Sequence, residues 1–210
     1  NMNEHQLTIG ETTWGGRPEL ESGEGIDYGS LIYIALERCK TAREAIQCMT
    51  DLVAEYGYAS SGETFSIADP NEVWLLELIG KGKVEKGAVW VATRVPDDCI
   101  AAHANQARFT TINFKDKANW MWSKDVVSFA RKQGYFEGKD KDFNFQEAYA
   151  PYDFSGLYVC EARVWSFFRH FSDDMDKYLD FASGKTFVET GGKYAGERMP
   201  LYIKPNHKVS

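Results

Sequence analysis

A series of short apolar segments, separated by turn residues, constrains the fold of this chain more than any other feature. Thr64–Ala68, Val73–Ile79 and Ala88–Val95 are rich in β-branched and aromatic residues, and Cys99–Ala104 continues the series. The first two segments are separated by Asp69–Glu72, whose Asp, Pro and Asn suit a reverse turn. Because short strands that follow each other through turns pair as neighbours, this block predicts an antiparallel sheet.

Helical patterns precede the block of strands. The apolar residues of Tyr28–Arg38 are too closely spaced for one exposed stripe, so this segment predicts a largely buried helix. Thr41 and Glu44 form a capping-box pattern, which predicts the start of a second helix. That helix is expected to run to about Tyr56, where Gly57 suits a C-terminal cap of positive φ.

Helical patterns also follow the block. Ser123 is a candidate N-cap of a helix whose apolar side is Val126, Val127 and Phe129 and which ends at Gly134. Residues 135–156 are expected to form a loop, and a last helix is predicted over 157–171, followed by an extended segment over 199–205. In that last helix four apolar residues are expected to be buried: Val159, Val164, Trp165 and Phe168. Helices on either side of antiparallel strands predict a layered α+β fold in one domain over residues 1–210.

Composition excludes several classes of function. The net charge is −7 and no run of Lys and Arg occurs, so the electrostatic footprint of a nucleic-acid-binding protein is missing. No apolar run approaches the ~20 residues that a membrane helix needs. The 6 Trp, 11 Tyr and 13 Phe residues suit a thick core, a binding cleft or a subunit interface, which leaves a homo-oligomer open.

Metal and cofactor chemistry have no support in the sequence. The cysteines show no C-x-x-C spacing and are interpreted as reduced core residues, and the histidines are scattered. These residues are Cys39, Cys48, Cys99 and Cys160, with His5, His103, His170 and His207. Gly-rich phosphate loops, H-E-x-x-H and G-x-S-x-G are also missing, so we predict no metal site and no cofactor.

One constellation of polar residues remains. Asn3, Glu4, Thr12 and Thr13 lie near the start of the chain, in or beside a strand predicted over residues 5–13. His103–Arg108 follows an apolar strand, and a strand end is a position at which the sheet fixes polar side chains. Asn105 could donate to an oxyanion, since its amide brings two N–H groups and no charge. The pattern alone favours the alternative that Asn105 and Gln106 form a turn and that Asn3 caps a strand.

These residues carry a resemblance to a known family. Met2–Thr13 is similar to a conserved segment of the dipeptidase A type peptidases, which are related to the secernins. Further similar segments occur in the same order along the chain: Tyr28–Ile46, Val73–Glu77, Trp90–Asp98, His103–Arg108 and Ser123–Ala130. More distantly, the family resembles bile-salt hydrolases and penicillin V acylases, which are N-terminal-nucleophile hydrolases with an αββα sandwich.

The resemblance implies a reaction and a set of site residues. In the family the nucleophile is a Cys at the mature N-terminus, its α-amino group is the base, and a thioester forms. The resemblance places that Cys and a nearby Arg/Asp pair upstream of Met2, and a further Arg beyond the C-terminus. Asn105 and Thr13 then match catalytic positions that bind the oxyanion or the substrate. The candidate substrate-binding residues are Asn3, Glu11, Thr12 and Gln106.

We therefore expect this chain to be the middle part of a longer peptidase domain, with the αββα sandwich incomplete and the chain inactive by itself. The expected substrate is a dipeptide or another small amide, and no nucleic acid or membrane is expected as a partner. A non-catalytic binding module with the same fold is the alternative. The compartment stays open between the cytoplasm and export, because a signal peptide would precede the missing nucleophile.

Overall fold

A five-stranded antiparallel sheet forms the centre of the computed structural model, which describes residues 1–192 and 196–206. His207 and the end of the chain lie outside the described residues. Across the sheet the strands are Thr8–Trp14 (β1), Gly62–Ala68 (β2), Val73–Gly80 (β3), Ala88–Val95 (β4) and Trp120–Trp122 (β6). The antiparallel sheet predicted from the sequence is confirmed, and β1 and β6 are its two edges.

The hairpin between β2 and β3 is closed by the predicted turn. Asp69 N–H donates to the carbonyl of Glu72 at 3.0 Å. The Asp69 carboxylate accepts from the N–H groups of Asn71 and Glu72 at 2.8 and 3.1 Å. This side-chain mimicry of a backbone turn explains why an Asp-Pro-Asn sequence reverses the chain here.

The prediction that Cys99–Ala104 extends the main sheet is wrong. Only Ile100–Ala101 (β5) is a strand, and it pairs with Tyr202–Ile203 (β7) in a separate two-stranded sheet. A tight turn, in which Cys99 N–H donates to the Pro96 carbonyl at 3.0 Å, directs the chain away from β4. The place beside β4 is taken by β6, a strand of three residues that gives too short a pattern to predict from sequence.

Two helices cover one face of the sheet. Their bounds, Tyr28–Arg38 (α1) and Ala42–Tyr56 (α2), agree with the sequence prediction. The capping box is present, with Glu44 N–H donating to Thr41 Oγ1 at 3.3 Å and Thr41 N–H donating to Glu44 Oε2 at 3.2 Å. Gly57 ends α2 with a φ of +87°. Such a positive φ is open to glycine at no steric cost.

The interpretation of α1 as largely buried is too strong. Leu31, Ile32 and Ala35 are buried, but Tyr33 is 65% exposed. One side of α1 faces solvent because the helix packs on the sheet through a single stripe. Together α1, α2 and the inner residues of β1–β4 form the first hydrophobic core.

The opposite face of the sheet is covered by Val126–Lys132 (α3), Phe145–Tyr149 (α4) and the loop over residues 104–114. Val126, Val127 and Phe129 are buried, as predicted. Ser123 is not the N-cap of α3, since the helix begins after Asp125; the Ser123 hydroxyl instead accepts from Trp90 N–H at 3.2 Å.

Helix α4 lies inside the segment predicted as loop. Asn144 caps it by accepting from Glu147 N–H at 3.1 Å. Five residues are too few for helical periodicity to show in the sequence, whereas the surrounding aromatic side chains stabilise them: Phe129, Tyr135, Phe143 and Phe145 pack around Tyr149.

A third hydrophobic cluster joins β5 and β7 to the C-terminal helices. The elements are a π-helical segment Gly156–Glu161, then Ala162–Phe168 (α5), a 3₁₀ segment Asp173–Tyr178, Leu179–Ala182 (α6) and Lys185–Glu189 (α7). The predicted helix over 157–171 is therefore two segments. Val164 and Phe168 are buried and Trp165 is half-buried, but Val159 is 49% exposed. The i→i+5 bonds of a π-helix change which residues share a face, so the α-helical pattern misplaces Val159.

The antiparallel sheet with helices on both faces agrees with the predicted α+β class. None of the described helices is long and apolar enough to cross a membrane.

Candidate functional site

The outer edge of β1 presents backbone groups to solvent. Asn1 and Ile9 exchange two hydrogen bonds, from Asn1 N to Ile9 O at 3.0 Å and from Ile9 N to Asn1 O at 2.9 Å. Since alternate residues of a strand point their N–H and C=O groups the same way, those of Glu11 and Thr13 also face away from β2. The open edge of this strand therefore runs along Glu11 to Thr13.

Asn105 is held against this edge. Its Nδ2 donates to the carbonyl of Thr13 at 2.6 Å. Its Oδ1 accepts from Arg163 Nη2 at 2.9 Å, and its backbone carbonyl accepts from the Cys160 thiol at 3.3 Å. The structure thus brings together the two predicted catalytic residues, which are 92 positions apart in the chain.

Arg163 settles the orientation of the Asn105 amide. A guanidinium group can only donate hydrogen bonds, and a carbonyl can only accept them. Oδ1 must therefore face Arg163 and Nδ2 must face Thr13. One of the two Nδ2 hydrogens binds the Thr13 carbonyl, which leaves the other for a ligand at the exposed side of Asn105.

The side chain of Thr12 lies on the face of β1 opposite that of Thr13, and it binds the segment that precedes Asn105. Its hydroxyl donates to the carbonyl of Ala104 at 2.8 Å and lies 2.6 Å from His103 Nδ1. Since the single hydroxyl hydrogen is used on the carbonyl, Nδ1 must be the donor, and Nε2 of His103 carries the lone pair. Burial, followed by the charge of Arg108, lowers the pKa of His103 to about 4, so the ring is neutral at physiological pH.

Glu77 of β3 anchors the loop that carries Asn105. Its carboxyl group accepts from the backbone N–H groups of Arg108 at 2.7 Å and Phe109 at 3.2 Å. Glu77 is completely buried, and burial raises its pKa to about 8, while the two N–H donors oppose that rise. A buried side chain of the central sheet therefore fixes the position of the loop relative to β1.

Arg108 ties the same loop to the C-terminal part of the fold. Its guanidinium pairs with Glu161 at 2.9 Å, and the two side chains are 2% and 1% exposed. It also donates to the carbonyls of Ala102, Leu201 and Pro200 at 3.1, 3.2 and 3.0 Å. Arg108 therefore positions the residue that follows β5 and the segment that enters β7.

A pair of carboxyl groups lies beside Thr13 on the face of the sheet that carries α1 and α2. Thr13 Oγ1 donates to Glu63 Oε2 at 2.9 Å, and Glu11 is close enough to Glu63 to influence its protonation. Glu63 is fully buried, and burial, then the neighbouring Glu11, raises its pKa to about 9. Glu11 itself is exposed at the open edge.

Two predicted substrate-binding residues lie elsewhere and bind backbone groups. Asn3 donates from Nδ2 to the carbonyls of Leu36 and Cys39, both at 2.8 Å, and its Oδ1 accepts from His5 and Leu7. Gln106 is buried and donates to the carbonyl of Ala150 at 3.0 Å. The structure therefore does not bring these two amides to the edge where Thr13 and Asn105 meet.

Two residues of the site were not singled out from the sequence. Arg163 lies within a predicted helix, and nothing in its spacing distinguishes it from a surface arginine. Glu63 precedes an apolar strand and carries no motif. His103 belongs to the polar segment His103–Arg108 that the sequence predicted, but no role was assigned to it.

The four cysteines differ in their surroundings. Burial, with the neighbouring Cys48, raises the pKa of the Cys39 thiol to about 12, and burial also raises the pKa of Cys99. Cys160 lies against Asn105 and Arg163, with Arg163 Nη2 3.5 Å from its Sγ. In the part of the chain that the structure describes, no group of three or more His, Cys, Asp or Glu side chains could hold a metal ion.

The sequence matches a known protein family over the whole length of the chain. The model of Peptidase family C69 matches residues 1–210, and the chain belongs to this family. The family resemblance inferred from the ordered motifs is confirmed.

Curated relatives carry dipeptidase names. A probable dipeptidase of Salmonella dublin is 28% identical over 211 residues, covering 97% of this chain and 43% of the relative. A probable dipeptidase of Latilactobacillus sakei is 30% identical over 183 residues, covering 87% of this chain and 37% of the relative. A dipeptidase of Bifidobacterium longum is 29% identical over 203 residues, covering 93% of this chain and 35% of the relative. The chain thus spans less than half the length of these relatives.

Proposed function

We propose that this chain is part of a dipeptidase that hydrolyses the amide bond of dipeptides at the open edge of β1. The observation that carries the proposal is the contact between Asn105 Nδ2 and the Thr13 carbonyl at 2.6 Å. This contact supports the inference that two neutral donors, the backbone N–H of Thr13 and the second hydrogen of Asn105 Nδ2, are available at one edge. The membership of Peptidase family C69 and the names of the relatives support an amide substrate.

These two donors would stabilise the oxyanion of the tetrahedral intermediate. Neutral N–H donors that are fixed before the reaction lower the barrier, because they need not reorient as charge develops on the carbonyl oxygen. Arg163 acts as a positioning residue, since it holds the Asn105 amide with Nδ2 directed at the edge. Glu77 and Arg108 fix the loop behind it.

The nucleophile in this proposal is an N-terminal Cys thiol that residues 1–210 do not supply. Its sulfur attacks the scissile carbonyl carbon while its own α-amino group takes the thiol proton. That proton passes to the leaving amine as the C–N bond breaks, and water then cleaves the thioester to release the acid. Since Cys39, Cys48, Cys99 and Cys160 are all internal, we propose that residues 1–210 do not hydrolyse dipeptides alone.

The complete domain would be an αββα sandwich. The present sheet has helices on one face in α1 and α2, and its other face contacts short helices and loops. We propose that a second sheet, contributed in part by the longer protein, lies on that side, as the resemblance to N-terminal-nucleophile hydrolases implies.

The proposal is tested by steady-state hydrolysis of unblocked dipeptides, with the longer protein and with residues 1–210 measured side by side. We expect turnover by the longer protein only. Asn105→Ala should lower kcat by about 100- to 1,000-fold, the usual effect of losing one oxyanion donor. Arg163→Met should lower kcat by less, because it disorders the Asn105 amide without removing it.

The control is Gln47→Ala, which removes an exposed amide on α2 far from β1 in the fold and should leave kcat unchanged. The absence of dipeptide hydrolysis by the longer protein would favour the non-catalytic binding module. An Asn105→Ala variant of unchanged kcat would refute the assigned role of the edge.

A further inference from the structure

Asn105 occupies the middle of a tight turn. Gln106 N–H donates to the carbonyl of Ala104 at 2.8 Å, which closes a three-residue γ-turn around Asn105. The φ of Asn105 is not positive, so the turn is of the common inverse type. This hydrogen bond fixes the shape of the turn, but it leaves the position of the turn relative to β1 to other contacts.

The side chain of Thr12 supplies one of those contacts. Its hydroxyl donates to the same Ala104 carbonyl at 2.8 Å, so this oxygen accepts from both Thr12 and Gln106 N–H. A carbonyl oxygen has two lone pairs, and two donors are present for them here. Thr13, the next residue of β1, accepts from the Asn105 side chain at 2.6 Å. Two consecutive residues of one strand therefore hold Asn105, one through its backbone turn and the other through its amide.

This arrangement fixes both proposed oxyanion donors relative to the same strand. One donor is the backbone N–H of Thr13, which belongs to β1 itself, and the other is on Asn105 Nδ2. A shift of the turn along β1 would change the distance between the two donors although both groups were still present. A displacement of about 1 Å in an active site can cost about 100-fold in rate. The Thr12 hydroxyl is bound where it opposes such a shift.

His103 decides which way the Thr12 hydroxyl donates. Its Nδ1 lies 2.6 Å from Thr12 Oγ1. An imidazole protonated only on Nε2 would offer Nδ1 as an acceptor and would compete with the Ala104 carbonyl for the single hydroxyl hydrogen. With the hydrogen on Nδ1, the ring donates to Oγ1 and the hydroxyl donates to the carbonyl. His103 and Thr12, which are 91 positions apart, thus form one chain of hydrogen bonds that ends at the turn.

We propose that Thr12 and His103 are positioning residues, which act on the reaction only through Asn105. This inference rests on the proposed function and deepens it. The resemblance to the family instead implies that Thr12 binds substrate, and the two roles predict different kinetics. Loss of a substrate contact raises KM, whereas displacement of a transition-state donor lowers kcat.

The test is steady-state hydrolysis of one dipeptide by the longer protein and its variants. Thr12→Val keeps the shape of the side chain and removes the hydroxyl, so kcat should fall by about 10-fold while KM stays within about twofold. Thr12→Ser restores the hydroxyl and should keep kcat within about threefold of the wild type. The matched control is Thr8→Val, the same change at an exposed residue on the same face of β1, which should leave both constants unchanged.

His103 is tested in the same assay. His103→Leu should lower kcat about as much as Thr12→Val, because Thr12 Oγ1 loses its donor. His103→Asn offers an amide N–H near the position of Nδ1 and should recover most of kcat. The double variant Thr12→Val with His103→Leu should lose at most about twice as much in kcat as Thr12→Val alone, because the two residues act as one unit.

Three results would overturn the proposal. A raised KM with unchanged kcat in Thr12→Val would identify Thr12 as a substrate contact. Equal kcat in Thr12→Val and the wild type would show that the hydroxyl does not position the turn. Losses that multiply in the double variant would show that Thr12 and His103 act separately. His103→Leu provides the second variant if Thr12→Val does not fold.

Failure of the proposed function gives a different result. Amide hydrogen exchange, followed by mass spectrometry, reports on the turn in the longer protein without a substrate. The peptide that contains Gln106 N–H should exchange faster in Thr12→Val and His103→Leu, and at the wild-type rate in Thr12→Ser. If the longer protein hydrolyses no dipeptide, this pattern still supports the positioning of Asn105 by Thr12 and His103. Unchanged exchange in both variants refutes it.

Discussion

Replacing Arg108 by Met tests how the loop that carries Asn105 is held. The guanidinium of Arg108 pairs with Glu161 at 2.9 Å, with both side chains almost completely buried. It also donates to three backbone carbonyls at one end of the two-stranded sheet, at 3.0 to 3.2 Å. Met preserves much of the side-chain volume but leaves the Glu161 carboxylate buried without its cation.

The expected loss of stability is large. Removing one member of a buried ion pair costs about 3–5 kcal/mol, because the remaining charge is left uncompensated. For a chain of this size, about 4 kcal/mol corresponds to a decrease in Tm of about 8–16 °C. The double variant Arg108→Met with Glu161→Met should recover part of this loss, since an apolar pair of similar volume avoids the buried charge.

The assay is urea unfolding of residues 1–210 as the wild type, the two single variants and the double variant, followed by tryptophan fluorescence. The four free energies of unfolding form a double-mutant cycle, and the coupling energy should be at least about 2 kcal/mol. Amide hydrogen exchange at β7 should also accelerate in Arg108→Met, because the carbonyls of Pro200 and Leu201 lose their donor. A loss of less than about 1 kcal/mol for Arg108→Met would refute this reasoning. So would a double variant that loses more stability than the two single variants lose together.

Two further predictions concern pH and helix capping. The folded state holds the proton of Glu63 up to a pKa of about 9, against an ordinary value of 4.5, so this group makes stability fall as pH rises between those values. Glu63 contributes at most about 1.4 kcal/mol per pH unit to the slope of the unfolding free energy against pH. Glu63→Gln should flatten this profile when it is measured from pH 5 to 9. An unchanged profile would contradict the raised pKa of Glu63. Thr41→Ala should lower the free energy of unfolding in denaturant by about 1 kcal/mol, because it removes the acceptor for Glu44 N–H. The control is Thr8→Ala in β1, which removes only an exposed hydroxyl contact. Equal losses in the two variants would contradict the capping assignment.

Local signals in the sequence predicted the elements that local interactions stabilise. The bounds of α1 and α2 agree with the structure, because the capping box at Thr41 and the C-terminal Gly57 act within a few residues of the helix ends. The turn at Asp69 was predictable for the same reason, since its carboxylate binds N–H groups two and three positions further along the chain. The family resemblance depends on ordered motifs and was equally open to sequence reasoning.

Elements that depend on distant partners could not be predicted in the same way. Strand β6 has three residues and exists because β4 offers a free edge, while β5 leaves the main sheet to pair with β7 about 100 residues further along the chain. Helix α4 is stabilised by aromatic rings from several segments, and the π-helical turn at Gly156–Glu161 displaces Val159 to the surface.

The sequence by itself determined the class of fold, the antiparallel block, the main helix ends and the family, because each of these depends on periodicity, capping or motif order within a short span. Only the tertiary structure decided which of the predicted residues meet and what holds them in place. The meeting of Thr13 with Asn105, the orientation of that amide by Arg163 and the contact of Thr13 with Glu63 all depend on residues 50 to 92 positions apart. Such contacts form only when buried side chains such as Glu77 place separate segments against one another, and no local pattern in the sequence specifies them.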